Sequence, residues 1–205
     1  GSGVRKLFVN IGIGGSVGKS PFHINKFPLS SSIFPPSPAV MDDHVLFHAH
    51  VPPYEPITTW GQNTELASRI EVDVVTIDDV VDAGIAPAPD IISMDIQGAE
   101  YAAFLGGKKA IRDSVLCTVS EIEYFEIYAG QGMFADQIKL LTDNGFRLVD
   151  VLNQQYWWTG EASGKGFLTV GEAIFFRLPE TGFPGTTSSK EVFPKLAKLL
   201  GIAYA

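Results

Sequence analysis

Four acidic side chains stand at or just beyond two apolar runs in the middle of the chain. Ile91-Ile-Ser-Met-Asp95 delivers Asp95, with Gln97, Gly98 and Glu100 close behind it. Val115 to Ile122 carries Glu121, and Glu123 follows. A buried parallel strand that brings a carboxylate to its carboxyl end has this pattern, and ligands of open α/β sheets bind at that end. Asp95 there could accept a proton from a hydroxyl or orient it. Its structural alternative is a carboxylate that caps the turn at Gly98. Gln97 and Gly98 read as a tight turn where glycine lets backbone approach a ligand. Glu121 and Glu123 alternate along a strand, so both point to one face. Glu121 is the better site candidate, against a salt-bridged strand end. Glu100 falls in the first turn of the next helix, where it suits the helix dipole or a buried pair.

Aromatic residues flank these acids. Tyr128 could line an acceptor pocket or pack in the core. Trp157 and Trp158 follow a strand, and exposed aromatics at such an edge would suit a sugar ring; core packing is their other reading. His44, His48 and His50 form an HxxxHxH pattern, but only Asp42 and Asp43 stand near it, so no metal site is expected. No G-x-S-x-G hydrolase elbow is present, and no Cys-His pair stands out.

The elements that must position these groups follow from texture. VDVVTI from Glu71 is β-branched and reads as a strand. Asp78 or Asp79 can cap a short helix that stops at Gly84. After the strand to Asp95, a helix is expected from Ala99 to Leu105, ending at Gly106-Gly107. Beyond Met133, Phe134, Ile138 and Leu141 form one apolar helical face, closed by Asn144-Gly145. Phe146 to Leu152 and Ala173 to Arg177 are the last strands. Ser188 and Glu191 have capping-box spacing for a terminal helix with Val192, Leu196 and Leu199 on one face.

Residues 1–69 are rich in Gly, Pro and Ser and read as irregular, apart from strand candidates Leu7 to Asn10 and His44 to Ala49. The stretch Gly12 to Gly18 invites a phosphate-loop reading. It fails the P-loop pattern, because Ile13 stands where glycine is required. Three readings stay open: a cofactor loop at Gly12 to Gly15, a nucleotide-phosphate loop, and a flexible connection. The strand candidate at His44 ends without a carboxylate to hold a ribose.

At 205 residues the chain suits one domain, divided as 1–69, an α/β core at 70–178 and a tail at 179–205. A net charge of −8 argues against a general nucleic-acid binder, which needs a basic face. Cys117, the only cysteine, lies in an apolar strand pattern and reads as a buried, inert thiol. No apolar run reaches the roughly 18 residues of a membrane span, and a cytoplasmic location is expected. Gly1-Ser2-Gly3 reads as an added linker, so the natural N-terminus is expected upstream.

The wording of the core is specific. Asp78 in VVTIDDV, Ser93-Met-Asp-Ile-Gln-Gly-Ala-Glu100, Ser120-Glu-Ile-Glu and Tyr128-Ala-Gly-Gln131 resemble the C-terminal half of the FkbM-type methyltransferases. Asn144 to Asp150 and Gly171 to Arg177 extend the resemblance. These enzymes use S-adenosylmethionine to methylate hydroxyl groups, often on sugars or natural products. The resemblance implies an α/β, doubly wound, mostly parallel sheet of the Rossmann-like methyltransferase type, with its first strands expected upstream. It implies S-adenosylmethionine as cofactor and a small hydroxyl-bearing acceptor. Asp95 and Glu121 would be catalytic. Asp95, Gln97 and Gly98 would bind the cofactor, and Glu123, Tyr128 and Trp157 the acceptor. The alternative is a binding or structural module that keeps the fold without the cofactor loop. Without its first strand, Ile91 to Asp95 would be an open edge, inviting self-association or docking of an upstream segment.

Overall fold

The computed structural model describes residues 6–40, 44–46, 58–159 and 166–177. They form two sheets. In the smaller, β5 (Leu66–Val75) lies between β1 (Gly12–Ile13) and β2 (Gly18–Asn25). In the larger, the order is β4 (Thr58–Thr59), β3 (His44–Leu46), β8 (Phe146–Thr159), β9 (Phe167–Arg177), β7 (Cys117–Glu123), β6 (Ile91–Met94). The helices are α1 (Trp60–Asn63), α2 (Ile77–Asp82), α3 (Glu100–Leu105), α4 (Lys108–Asp113) and α5 (Phe134–Asp143).

The architecture is mixed α/β, but the sheet is not mostly parallel. Among the described residues only β1–β5 and β6–β7 pair in parallel. The pairs β2–β5, β3–β4, β3–β8, β7–β9 and β8–β9 are antiparallel. The physical cause is the long β8–β9 hairpin, whose second strand inserts beside β7. The strand β9 carries alternate residues into different layers. Ala173 and Phe175 join one apolar cluster, with Phe104, Ile111, Val115, Ile122 and Leu141. Ile174 and Phe176 join another, with Leu116 and Cys117. A strand covered on both faces needs a nearly continuous apolar run, which Ala173 to Phe176 supplies. Each buried Ile, Leu, Val or Phe among these contributes roughly 1.5–3 kcal/mol relative to exposure.

The helices carry the motif residues into place. Thr76, not Asp78 or Asp79, is the N-cap of α2: its hydroxyl accepts from the Asp79 N–H at 3.0 Å, and Asp79 accepts from the Thr76 N–H. Asp78 instead reaches across to the first turn of α4. Its two oxygens accept from the Lys109 and Ala110 N–H groups at 2.9 and 2.8 Å. The helix expected to end at Gly106-Gly107 restarts at once as α4. A Cβ on Gly106 would lie 2.4 Å from the Gly14 carbonyl oxygen, so glycine is needed there for close approach. At the end of α5, Gly145 has φ 82°, the left-handed cap expected there. Arg177 closes β9, buried, donating to the carbonyls of Val115, Asn144 and Ile111, with its guanidinium 4.5 Å from the Phe146 ring.

The N-terminal part is more regular than its composition suggests. Residues 6–11 form no strand, yet β2 spans eight residues and pairs along β5. Pro21 sits within it, tolerated because β2 is an edge strand. His48, His50 and the expected terminal helix from Ser188 lie outside the described residues.

Candidate functional site

The parallel pairing of β6 with β7 sets Met94 opposite Ser120. One residue further along each strand, Asp95 and Glu121 therefore become neighbours. The chain then turns through two left-handed residues, Gln97 at φ 56° and Gly98 at φ 88°. For glutamine this conformation is uncommon, and such positions cluster at functional sites. The Ser32 hydroxyl donates to the Gln97 carbonyl at 2.6 Å and holds the turn from the N-terminal part. Tyr128, fully buried, packs beneath Gly98, where a Cβ would lie 2.9 Å from its ring.

The Gln97 side chain joins these parts. Its Nε2 donates to Asp95 Oδ1 at 2.7 Å and to Glu121 Oε2 at 2.9 Å. Its Oε1 lies 2.9 Å from the Tyr128 hydroxyl, which is also 2.9 Å from the Ser30 carbonyl oxygen. Tyr128 is held in turn by Gln131, whose Oε1 accepts from the Ile127 and Tyr128 N–H groups. Glu100 folds back so that its Oε1 accepts from the Ile96 N–H at 2.6 Å. Gln137, buried on α5, accepts from the Ser120 hydroxyl at 2.7 Å and donates to the Glu121 carbonyl at 3.0 Å. That pair fixes β7 where Glu121 leaves it.

Burial and mutual repulsion keep the Glu100, Glu121 and Glu123 carboxyls protonated beyond their usual range. Burial, then the nearby Asp95 and Glu100 charges, pushes Glu121 up to about 9. Burial also raises Glu100 to about 7. Glu123 is pushed up in the same direction by burial, then by Glu100 and Glu121. Burial likewise raises the Cys117 thiol to about 11, as suits an inert thiol. Titratable groups displaced this way in a cleft mark a functional-site candidate.

Asp95 and Glu121 line a cleft of about 440 Å³, within the range of small-molecule sites. Its far wall comes from β8 and β9: Asn153, Gln154, Gln155 and Glu172. Sequence reasoning missed this wall. The expected strand stops at Leu152, just short of Asn153, Gln154 and Gln155. Instead β8 continues with register shifts there, and Asn153 takes φ 48°. Its amide donates to Glu172 at 2.8 Å. A polar break inside a run that regains Tyr156, Trp157 and Trp158 was the available signal for a bulge.

The expected acceptor residues fall elsewhere. Glu123 is fully buried and does not line the cleft. Tyr128 reaches the site only through Gln97. Trp157 is 3% exposed in the core, with its ring 5.0 Å from Trp60. The edge-aromatic reading of Trp157 is therefore corrected to core packing, because Trp60 covers it. The Gly-rich segment packs against protein at Gly14 and Gly15, while Gly12 and Ile13 line a separate cavity of about 530 Å³. Gly12 and Ile13 are strand, no helix follows the loop, and a Cβ on Gly15 would lie 3.1 Å from the Ala102 carbonyl oxygen. A phosphate loop requires a helix N-terminus that is missing here.

No helix among the described residues is long and apolar enough to cross a membrane. No curated protein and no solved structure matches the chain. A family model described as the methyltransferase FkbM domain matches residues 2–148, a span that holds the turn at Gln97, Glu121 and Tyr128. That match covers more than half of the chain, and the chain belongs to the FkbM methyltransferase family.

Proposed function

We propose that the cleft at Asp95 and Glu121 is the reaction centre of an S-adenosylmethionine-dependent O-methyltransferase. Its acceptor is a hydroxyl of a sugar or natural-product-like small molecule. The observation that carries this reading is the pair of carboxyls at adjacent parallel strand ends, bridged by one amide at 2.7 and 2.9 Å. The pair also supports the frame expected of the family fold, in which ligands meet the carboxyl ends of parallel strands.

The donor set suits the cofactor. Asp95, Glu121 and Glu172 all present carboxyls to the cleft, and a sulfonium is a cation. Asp95, Gln97 and Gly98 would hold it. When bound, S-adenosylmethionine supplies an electrophilic methyl group for an acceptor oxygen. Asp95, exposed at the strand end, takes the hydroxyl proton as the oxygen attacks. Glu121 keeps its own proton up to about pH 9 and donates a hydrogen bond that orients the acceptor. Gln97 fixes the spacing of the two carboxyls, and Tyr128 fixes Gln97. Glu123 acts from behind Glu121 as a positioning residue, without touching the acceptor.

The test is transfer of a labelled methyl group from S-adenosylmethionine to a panel of sugars and polyols. Labelled product that depends on Asp95 supports the reading. A second reading, a module that keeps the fold without turnover, is favoured by the protein-filled loop at Gly14 and Gly15. Absence of product with every acceptor, in protein that still binds a sugar, would favour it.

A further inference from the structure

We propose that Asp95, Glu100 and Glu121 form a site for a hard divalent cation, completed by the side-chain oxygen of Gln97 once its amide turns over. The site shares the cleft described above, but its affinity for a metal stands apart from whether methyl transfer occurs there.

One oxygen from each of the three carboxyls lies within 4.8 Å of the other two. Three atoms no more than 4.8 Å apart lie within about 2.8 Å of a common centre, so small side-chain shifts let one ion with calcium–oxygen bonds of about 2.3–2.6 Å reach all three. The donors are all oxygen, which selects calcium, magnesium or manganese over zinc or copper.

Two further features lie beside these carboxyls. Glu100 is fully buried, yet its Oε2 has no hydrogen-bond partner among the described residues. Glu123 is fully buried as well, with neither oxygen partnered, on the same face of β7 as Glu121. Buried polar groups are normally satisfied, because an orphan costs about 1–3 kcal/mol. Three orphan carboxyl oxygens behind one acidic cleft form a wall that lacks a positive partner.

Gln97 supplies the fourth ligand. As placed, its Oε1 and the Ser30 carbonyl both face the Tyr128 hydroxyl, which has one hydrogen to give. Turning the amide over lets Nε2 donate to the Tyr128 oxygen while Tyr128 donates to Ser30. Every group at that end is then satisfied. The same turn points Oε1 at Asp95 and Glu121, where four oxygens converge and only a cation or a proton can sit. The amide thus has two arrangements: nitrogen toward the acids without metal, oxygen toward them with metal. A bound ion would also hold an acceptor oxygen beside Asp95.

The experiment is titration of the 205-residue chain with Mn2+, read by loss of the free-ion paramagnetic resonance signal, and with Ca2+ by calorimetry. Saturable binding of one ion is expected. Gln97→Glu, which replaces the amide by a ligand that needs no turning, is expected to tighten it. Glu121→Gln is expected to weaken it by at least about tenfold, the scale seen when metal sites lose a supporting group. If Glu121→Gln fails to fold by circular dichroism, Gln97→Glu decides. The inference is overturned if folded chain binds neither ion saturably, or if binding is unchanged in Gln97→Glu and in folded Glu121→Gln. Metal binding without methyl transfer would sink only the proposed reaction, and the converse would sink only this site.

Discussion

Replacing Gly98 by alanine tests how tightly the site turn rests on Tyr128. Two costs add. The backbone at φ 88° is left-handed, where an L side chain costs roughly 1–2 kcal/mol. The new Cβ would also stand 2.9 Å from Tyr128 Cδ2 and 3.3 Å from two further Tyr128 carbons. Tyr128 cannot retreat, since it is fully buried and its hydroxyl is tied to Ser30 and Gln97. Overpacking of this kind costs about 1–3 kcal/mol. Gly130→Ala is the matched control: φ is 85° there, with nothing within 4 Å of the new Cβ. The unfolded-chain entropy lost on adding a methyl is common to both variants and cancels. Urea unfolding is expected to place Gly98→Ala about 1–3 kcal/mol below Gly130→Ala, with unchanged m values. Equal midpoints for the two variants would refute the claim that Tyr128 braces the turn.

Further outcomes follow from the same geometry. In the folded state Glu100 and Glu121 are raised to about 7 and about 9, well above the ordinary glutamate value. Their contribution is therefore full below the unfolded value and lost as pH climbs through 7 and 9. Unfolding midpoints in chelator are expected to fall steadily from about pH 5 to about pH 9, and Glu100→Gln is expected to flatten the step near 7; a rise in stability over that span would contradict this. Arg177→Ala leaves the carbonyls of Val115, Asn144 and Ile111 without their donor and is expected to cost about 3–5 kcal/mol by denaturant melts. A loss under about 1 kcal/mol would mean other donors replace the guanidinium. Among the described residues β6 is paired only with β7, and the groove along its other side is lined by Ile13, Ile77, Val80, Ile91 and Ile92. Light scattering is expected to show association as concentration rises, and a monomer throughout would count against an open edge.

The meeting of Asp95 with Glu121 was legible because parallel neighbours bring their carboxyl ends together, and apolar runs ending in acids mark such strands. The Gly98 turn was legible for a similar reason, since glycine has few substitutes at φ 88°. What escaped depended on contacts distant in sequence. Nothing near Tyr128 announces that its hydroxyl meets Gln97 and the Ser30 carbonyl, almost a hundred residues back. Glu123 shares its face with Glu121, but alternation does not tell how deep each lies. The edge-aromatic reading of Trp157 stayed open beside core packing because Trp60, which covers it, arrives from the N-terminal part. The strand β2 was hidden by Gly18 and Pro21, residues that an edge strand tolerates and a central one does not. Asp95, Glu100 and Glu121 come from a strand end, a helix start and a second strand, far apart in local pattern. Only the fold assembles them.

The central claim is that Asp95 carries proton transfer in the proposed methylation, with Glu121 beside it. The most direct measurement is the turnover of Asp95→Asn in the intact protein, with donor affinity measured in parallel. Loss of a proton acceptor is expected to lower kcat by about 10²–10⁴-fold. Donor affinity is expected to fall by much less than kcat, since asparagine keeps the shape and the contact to Gln97 and loses only the charge that faces the sulfonium. Unchanged turnover, or a loss of donor affinity as large as the loss of kcat, would contradict the account and leave Asp95 as a group that merely holds the cofactor.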